Sequence, residues 1–199
     1  MEPIIETNMA FTFIFVLAVA WFFLHKYSQK PLTALLKRAA AGNADAQYDM
    51  GYLFYQGKQV DQDFEQAFNW FDTSAKQGNV RAMIALAGLY NEGKGCDKDP
   101  QKAFYFYQQA AQSGNFEARV NLAVCYLQGT GTEKDDSKGF EILKSAADEK
   151  SPLAQTLLAD LYERGIGTTQ DEQAAMKYYI LAAKQGEPIA KKKLTELKK

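Results

Sequence analysis

The first residues that could do chemistry form a short glycine-containing loop. Gly93-Lys94-Gly95 runs into a helix start at Asp99-Pro100. Backbone amides at a helix N-terminus bind phosphate, so a Gly-x-Gly loop in this position could form a nucleotide site. The loop recurs, however, as Gly129-Thr130-Gly131 and Gly165-Ile166-Gly167. Three nucleotide sites in one small chain are implausible, and the aspartate would compete with a phosphate for the amides. We interpret the loop as a structural turn.

Other reactive side chains are few. The chain has one histidine, His25, and two cysteines, Cys96 and Cys125, which argues against a metal site and against a histidine-based catalytic dyad. A hydrolase that uses only carboxylates, such as Glu117 and Glu163, remains a formal alternative, although nothing pairs them. We expect no catalytic residue, no metal, no cofactor and no small-molecule substrate. A disulfide between Cys96 and Cys125 stays open, while the low cysteine content suits a reducing compartment.

Composition and charge limit the class of protein. The 199 residues are 47% hydrophobic with a net charge of −1. That is enough apolar material for one domain with a core, and too much for a disordered chain. A net charge near zero gives no electrostatic reason to expect nucleic acid as a partner.

The N-terminus differs from the rest of the chain. A short acidic segment, residues 1–8, precedes an uncharged apolar run from Met9 to Leu24. We predict a single-pass transmembrane anchor over residues 9–27. The rival prediction is a signal peptide cleaved near Ala18-Val19-Ala20, which the acidic segment opposes. Lysine and arginine lie only on the C-terminal side of the run, so the positive-inside rule predicts an outside N-terminus and a cytoplasmic domain.

The remaining chain repeats with a period of 36 residues. Alanine recurs without exception in one slot and glycine in two others, with Lys150 as the one replacement. These slots hold Ala46, Ala82, Ala118, Ala154 and Ala190; Gly57, Gly93, Gly129 and Gly165; and Gly42, Gly78, Gly114 and Gly186. A fixed period of this length indicates stacked supersecondary units.

Each repeat reads as two helices. The first begins at a side chain that can cap free amides, namely Asn43, Asn79, Asn115 and Ser151, and ends at the Gly57 series. The second begins at Asp63, Asp99, Asp135 and Asp171 and ends at the Gly42 series. Alanine and aromatic slots at helical spacing predict packed faces. Cys125 shares a slot with Leu53, Leu89 and Leu161, so we expect it in the core.

We therefore predict an all-α solenoid of about four helix-pair repeats over residues 42–186. Residues 28–41 form a linker and an N-terminal capping helix, and residues 187–199 form a C-terminal capping helix with solvated lysines. The motif Ala-x-x-x-Leu-Ala/Gly-x-x-Tyr-x-x-Gly-x-Gly, followed by Asp and then Ala-Ala-x-x-Gly, is clearest over Ala85–Gly114. It resembles the Sel-one-like repeat family, which is related to tetratricopeptide repeats. The resemblance implies a right-handed superhelix and an adaptor that assembles other proteins.

One stripe of the first helices varies between repeats, whereas core packing would favour recurrence. First helices of such repeats line the concave side, so we predict that this stripe binds a partner segment. The predicted partner-binding residues are Tyr48, Tyr52, Tyr55, Ile84, Asn91, Val120, Val124 and Leu127. Gly88, Thr156, Asp160 and Glu163 complete the stripe. The alternative is ordinary solvated surface.

The expected function is a membrane-anchored adaptor for protein–protein interaction, with a protein partner of unknown identity. The alternative is an exported or envelope-facing solenoid that binds cell-envelope or foreign proteins. The two functions differ in the side of the membrane on which the repeats lie, so the membrane topology of the chain distinguishes them.

Overall fold

The computed structural model describes residues 30–196, and this part of the chain consists of ten α-helices without a strand. The helices are α1 Lys30–Ala40, α2 Ala44–Gln56, α3 Phe64–Ala75, α4 Val80–Glu92, α5 Pro100–Gln112, α6 Phe116–Gln128, α7 Asp136–Asp148, α8 Pro152–Arg164, α9 Glu172–Lys184 and α10 Pro188–Glu196. The all-α prediction is confirmed for these residues. The predicted anchor, residues 9–27, and the acidic segment, residues 1–8, lie outside them. None of the ten helices is both long and apolar enough to cross a bilayer.

The first turns of the helices are fixed by local side chains. Asn43 Oδ1 accepts a hydrogen bond of 2.8 Å from the Ala46 amide, and Asp63 Oδ1 accepts one of 3.0 Å from the Gln66 amide. The same bonds recur one period later at each site, with Asn79, Asn115 and Ser151 capping first helices and Asp99, Asp135 and Asp171 capping second helices. The predicted N-caps are confirmed.

The helix ends agree less closely with the prediction. First helices end at glycines in the left-handed conformation, such as Gly57 with φ 67°. Second helices end earlier than predicted: α3 ends at Ala75 and α5 at Gln112, whereas Gly78 and Gly114 follow with φ values of 85° and 81°. The intervening residues form a turn, so the glycine lies in the connection to the next helix pair and not at the helix end.

The chain divides into two compact units at Ala82. In the first unit, α2 packs against both α1 and α3. Phe71 of α3 is fully buried, and a Cβ on Gly51 of α2 would lie 2.7 Å from the Phe71 ring. The small residue therefore lets the two helices approach closely.

In the second unit, each helix from α5 to α10 packs against the next one along the chain. One core cluster joins α6, α7 and α8 through Leu143, Leu158 and the alanines between them. A second cluster joins α8, α9 and α10 around Tyr179. Such nearest-neighbour packing is what a repeat stack requires.

The second glycine of two Gly-x-Gly loops, Gly131 and Gly167, has a packing role in the second unit. A Cβ on Gly131 would lie 2.0 Å from the Pro100 carbonyl oxygen, and one on Gly167 would lie 2.2 Å from the Asp136 carbonyl oxygen. Each loop thus rests against the first turn of the second helix one repeat earlier. Close backbone approach explains these glycines without a phosphate.

Candidate protein-binding surface

In the first unit, the predicted stripe consists of three tyrosines on α2. Tyr48 and Tyr52 are stacked, with ring centroids 6.1 Å apart and planes at 14°. Tyr52 is 44% exposed and receives a hydrogen bond on its hydroxyl from Gln56. Tyr48 and Tyr55 are half-buried, because Tyr48 packs on Phe71 and Tyr55 on Phe64 of α3. Tyr52 is therefore the residue of this stripe that offers the largest surface.

An arginine beside the tyrosines adds charge to the same surface. The Arg81 guanidinium carbon lies 4.5 Å from the centre of the Tyr48 ring, and its Nη2 donates a 2.9 Å hydrogen bond to Asp45 Oδ1. Asn79 Nδ2 donates to the same oxygen at 2.9 Å. The hydrogen bond from Arg81 is the main reason that the pKa of Asp45 lies below its usual value. The aromatic surface thus carries a fixed ion pair.

In the second unit, the stripe begins on α4. Ile84 and Asn91 are half-buried there, so each presents only part of its side chain.

Val120 of α6 is a correction to the predicted stripe. It is only 5% exposed and belongs to the core cluster with Phe140 and Leu143 of α7. Thr156, in the same slot one repeat later, is 4% exposed, and its hydroxyl donates to the Pro152 carbonyl at 3.0 Å. This slot faces the second helix of its own repeat, so Val120 is unavailable to a partner.

Val124 and Leu127 of α6 line a groove with a volume of about 380 Å³. Leu157 and Leu161 of α8 and Ile166 of the following loop also line it. Leu127 is partly a packing residue, since a Cβ on Gly139 would lie 2.5 Å from Leu127 Cγ. Apolar side chains of two successive first helices therefore contribute to the groove, and its lining also includes polar and charged residues, namely Gln128, Lys134, Asp136, Asp160 and Arg164.

Two ion pairs border this groove. Lys134 Nζ lies 3.1 Å from Asp136 Oδ2, and Arg164 Nη1 lies 3.2 Å from Asp160 Oδ2. The carboxylates are 36% and 35% exposed, whereas the cations are 61% and 62% exposed. The two cations are therefore more exposed to solvent than the carboxylates with which they pair.

The repeated architecture matches a known family. A family model described as Sel1 repeat covers residues 44–79, 80–115, 116–151 and 152–187. The chain belongs to the Sel1 repeat family. A search of curated proteins found no match.

Solved structures agree with this assignment. A protective antigen of uropathogenic Escherichia coli with the Sel1-like repeat fold is 34% identical, with a TM-score of 0.73, over 78% of this chain and 33% of that one. A Sel1 repeat protein of Oxalobacter formigenes is 26% identical, with a TM-score of 0.76, over 88% of this chain and 71% of that one. Cysteine rich protein B of Helicobacter pylori shares the fold at 20% identity and a TM-score of 0.50. The chain thus spans about a third of the antigen's length.

Family membership confirms the predicted resemblance and the helical solenoid. Sel1 repeat solenoids are generally protein-interaction folds and non-catalytic scaffolds. Within residues 30–196, no group of three or more histidine, cysteine, aspartate or glutamate side chains is placed to hold a metal ion. Both cysteine thiols are free; Cys125 is 5% exposed in the core, and burial raises its pKa to about 11.

Two charged residues of this Sel1 repeat surface, Glu163 and Arg119, form ion pairs within the chain. Glu163 accepts a 2.7 Å hydrogen bond from the Tyr179 hydroxyl and one of 3.2 Å from Lys193 Nζ. The Tyr179 hydrogen bond is the main reason that the pKa of Glu163 is lowered. Arg119 donates two hydrogen bonds, of 2.6 and 3.0 Å, to Glu149. These residues stabilise the repeats and contribute little free charge for a partner.

Among the groove residues that sequence reasoning missed are two aliphatic ones outside the predicted core slots, Leu157 and Ile166. A signal for both exists in the repeat alignment. The slot of Leu157 holds Asp49, Ala85 and Asn121 in the other repeats, and that of Ile166 holds Lys58, Lys94 and Thr130. Both slots carry a large aliphatic side chain only in the fourth repeat, where Leu157 and Ile166 also pack against the core cluster of α6, α7 and α8.

Proposed function

We propose that this Sel1 repeat protein is a membrane-anchored adaptor that binds a segment of a partner protein on the variable stripe of its first helices. The observation that carries the proposal is the groove of about 380 Å³ beside Val124 and Leu127, which is lined by both apolar and charged side chains. Apolar pockets with a few polar groups at their edge are the usual form of a binding site. The exposed Tyr52 on α2 supports the same reading in the first unit, since tyrosine is favoured at interfaces.

Photo-crosslinking in cells tests the binding surface. A photoreactive amino acid replaces Tyr52, and the captured protein is identified by mass spectrometry. The matched control carries the same amino acid at Tyr105 of α5, a tyrosine that is 54% exposed on a second helix. We expect one dominant adduct from position 52 that is absent from position 105. Equal adducts from both positions, or none from position 52, would refute a specific first-helix surface.

The captured protein is then titrated against the purified full chain. Truncating an interface tyrosine typically costs more than about 1 kcal/mol, so Tyr52→Ala should weaken binding by about tenfold. Tyr105→Ala should leave the affinity unchanged.

The anchor is the second part of the proposal. An uncharged run of 16 residues, Met9 to Leu24, with lysine only on its C-terminal side supports membrane attachment with the repeats in the cytoplasm. The alternative is an exported solenoid, and it is favoured by the similarity to a protein described as a protective antigen. Protease added to intact cells separates the two, because cytoplasmic repeats would survive and exported repeats would be degraded. Release of the chain by alkaline carbonate would overturn the anchor.

A further inference from the structure

The outer face of α9 consists of five exposed residues, Gln173, Lys177, Ile180, Leu181 and Lys184. Ile180 and Leu181 are 38% and 37% exposed, and neither is part of the core cluster around Tyr179. Their slots are polar in all three earlier repeats. The first slot holds Asp72, Gln108 and Lys144, and the second holds Thr73, Gln109 and Ser145. Polar side chains serve in both slots of folded repeats of the same chain, so packing of the helix pair does not require aliphatic ones.

Two lysines are surface neighbours of these aliphatic residues. Ile180 is three residues from Lys177 and four from Lys184, and Leu181 is four residues from the first and three from the second. Side chains at these spacings lie next to each other on a helix. Within residues 30–196, neither lysine forms an ion pair. The outer face of α9 therefore combines apolar side chains with positive charge that no carboxylate neutralises.

The same slots carry the opposite charge one repeat earlier. Glu141 and Asp148 of α7 stand where α9 has Lys177 and Lys184. The sequence after this point stays basic, since residues 177–199 contain seven lysines and two glutamates, a net charge of +5. The whole chain carries −1, so residues 1–176 carry −6. Positive charge is thus concentrated in α9 and the residues that follow it.

Two further apolar residues of this helix pair are exposed. Ile189 of α10 is 56% exposed and lies three residues before Lys192, at a spacing that makes the two side chains neighbours. Met176 of α9 is 37% exposed. Its slot has a packing role in the third repeat, where Phe140 contacts Tyr162 with ring centroids 5.3 Å apart. Met176 therefore adds apolar area, but Ile180 and Leu181 are the residues that packing leaves unexplained.

This combination favours a lipid surface over a protein surface. Lysine is depleted at protein interfaces, because its compact ammonium group is strongly hydrated. Helices that lie on a membrane instead carry exposed aliphatic residues beside lysines. The aliphatic groups enter the boundary between headgroups and acyl chains, while the long lysine stems place the ammonium groups among the headgroups. Each lysine near an anionic surface strengthens binding by about fivefold.

We propose that the outer face of α9 docks the fourth repeat on an anionic phospholipid surface, with Ile180 and Leu181 in the headgroup region and Lys177 and Lys184 beside the lipid phosphates. The proposal goes beyond the adaptor function, because it gives the chain a membrane contact that does not depend on residues 9–27.

Lipid quenching on vesicles tests this contact in the full chain. A fluorophore is attached through Gln173→Cys in a Cys96→Ser background, in which Cys125 is buried and does not compete for the label. The matched control is Ser137→Cys, the exposed residue in the same slot of α7. The vesicles contain phosphatidylcholine, with or without phosphatidylserine, and a lipid with a nitroxide near its headgroup. We expect the nitroxide to quench most of the fluorescence at position 173, little at position 137, and both only weakly without phosphatidylserine.

Variants of the outer face assign the contact to its residues. The double variant Ile180→Gln and Leu181→Gln gives α9 the residues that α5 carries as Gln108 and Gln109, so the fold should tolerate it. It should abolish the quenching at position 173. Lys184→Gln should shift the docking equilibrium by about fivefold, as expected for one lysine at an anionic surface. The charge-matched control Lys144→Gln on α7 should leave the quenching unchanged.

Flotation of the same vesicles separates this proposal from the proposed anchor. A chain that floats with phosphatidylcholine vesicles, but is quenched equally at positions 173 and 137, would keep the anchor and overturn the docking of α9. Quenching at position 173 that survives the double glutamine variant would also overturn it and leave this face to a protein partner. A chain that floats only with phosphatidylserine vesicles, with quenching at position 173, would support the docking and refute the anchor.

Discussion

Replacement of Gly131 by alanine separates the two interpretations of the Gly-x-Gly loops. In the structure, Gly131 has φ 71°, and an added Cβ would lie 2.0 Å from the Pro100 carbonyl oxygen and 2.5 Å from its carbonyl carbon. Gly129, two residues earlier, has φ 69°, but its Cβ would lie 3.3 Å from the nearest atom, Lys134 Cβ. The two glycines thus share a backbone conformation and differ in the space around them.

The magnitudes follow from that difference. An L-residue in the left-handed region costs about 1–2 kcal/mol, partly offset by about 0.4–1 kcal/mol from a less flexible unfolded chain. Gly129→Ala should therefore destabilise the protein by about 1 kcal/mol. Gly131→Ala should add the cost of overpacking, about 1–3 kcal/mol, because backbone atoms must move apart. For a chain of this size each kcal/mol lowers the melting temperature by about 2–4 °C.

Thermal unfolding of the full chain in mild detergent, followed by circular dichroism, measures both variants. Apparent midpoints are compared, since repeat arrays need not unfold in one step. We expect a drop about two to four times larger for Gly131→Ala than for Gly129→Ala, with inorganic phosphate changing neither. Equal drops would refute the packing argument. A stabilisation by phosphate that Gly131→Ala abolishes would instead establish an anion site.

Two further predictions concern ionisable side chains. At pH 8, Ellman's reagent should titrate one thiol in the native chain and two in denaturant, because Cys125 is 5% exposed and its pKa is raised to about 11. The native Cys96→Ser variant should show no reactive thiol. Two rapidly reacting thiols in the native chain would contradict the placement of Cys125 in the core. The pKa of Glu163 in the folded chain lies below its usual value of 4.5. The ionised Glu163 therefore stabilises the fold fully above pH 4.5, and this stabilisation is lost as the pH falls through the lowered pKa of the folded chain. Glu163→Gln should therefore flatten the decline of the melting midpoint below pH 4.5, and an unchanged slope would show that the contact of Lys193 and Tyr179 with Glu163 is not formed in solution.

The helix boundaries show which features a sequence can predict. An N-cap depends on a side chain and an amide only three residues apart, as in Asn43 with Ala46 or Asp135 with Lys138. Such a local hydrogen bond recurs in every repeat that carries the capping residue. Lys150 shows the complementary case: it replaces the expected glycine yet keeps the left-handed conformation, with φ 69°. The repeat thus imposes the backbone even where the residue type does not favour it.

The partner stripe shows where the same reasoning fails. Variation between repeats predicts exposed positions, but Val120 is buried against α7. This slot varies together with the residue that it faces: the large Tyr48 packs on the large Phe71, whereas the smaller Val120 shares its cluster with the smaller Leu143. A position can therefore vary between repeats and still belong to the packing of its own helix pair. Aligning one sequence on itself identifies the equivalent positions of the repeats, but it does not identify which of these positions are in contact.

The groove depends on that missing information. Val124, Leu157 and Ile166 belong to three different slots and meet only because α6, α8 and the loop after α8 lie side by side. Leu157 and Ile166 also pack against the core cluster that joins α6, α7 and α8, so their apolar side chains contribute to the stack without any ligand. A sequence aligned on itself shows that these positions differ between repeats, and only the packing of neighbouring repeats shows that they share one groove.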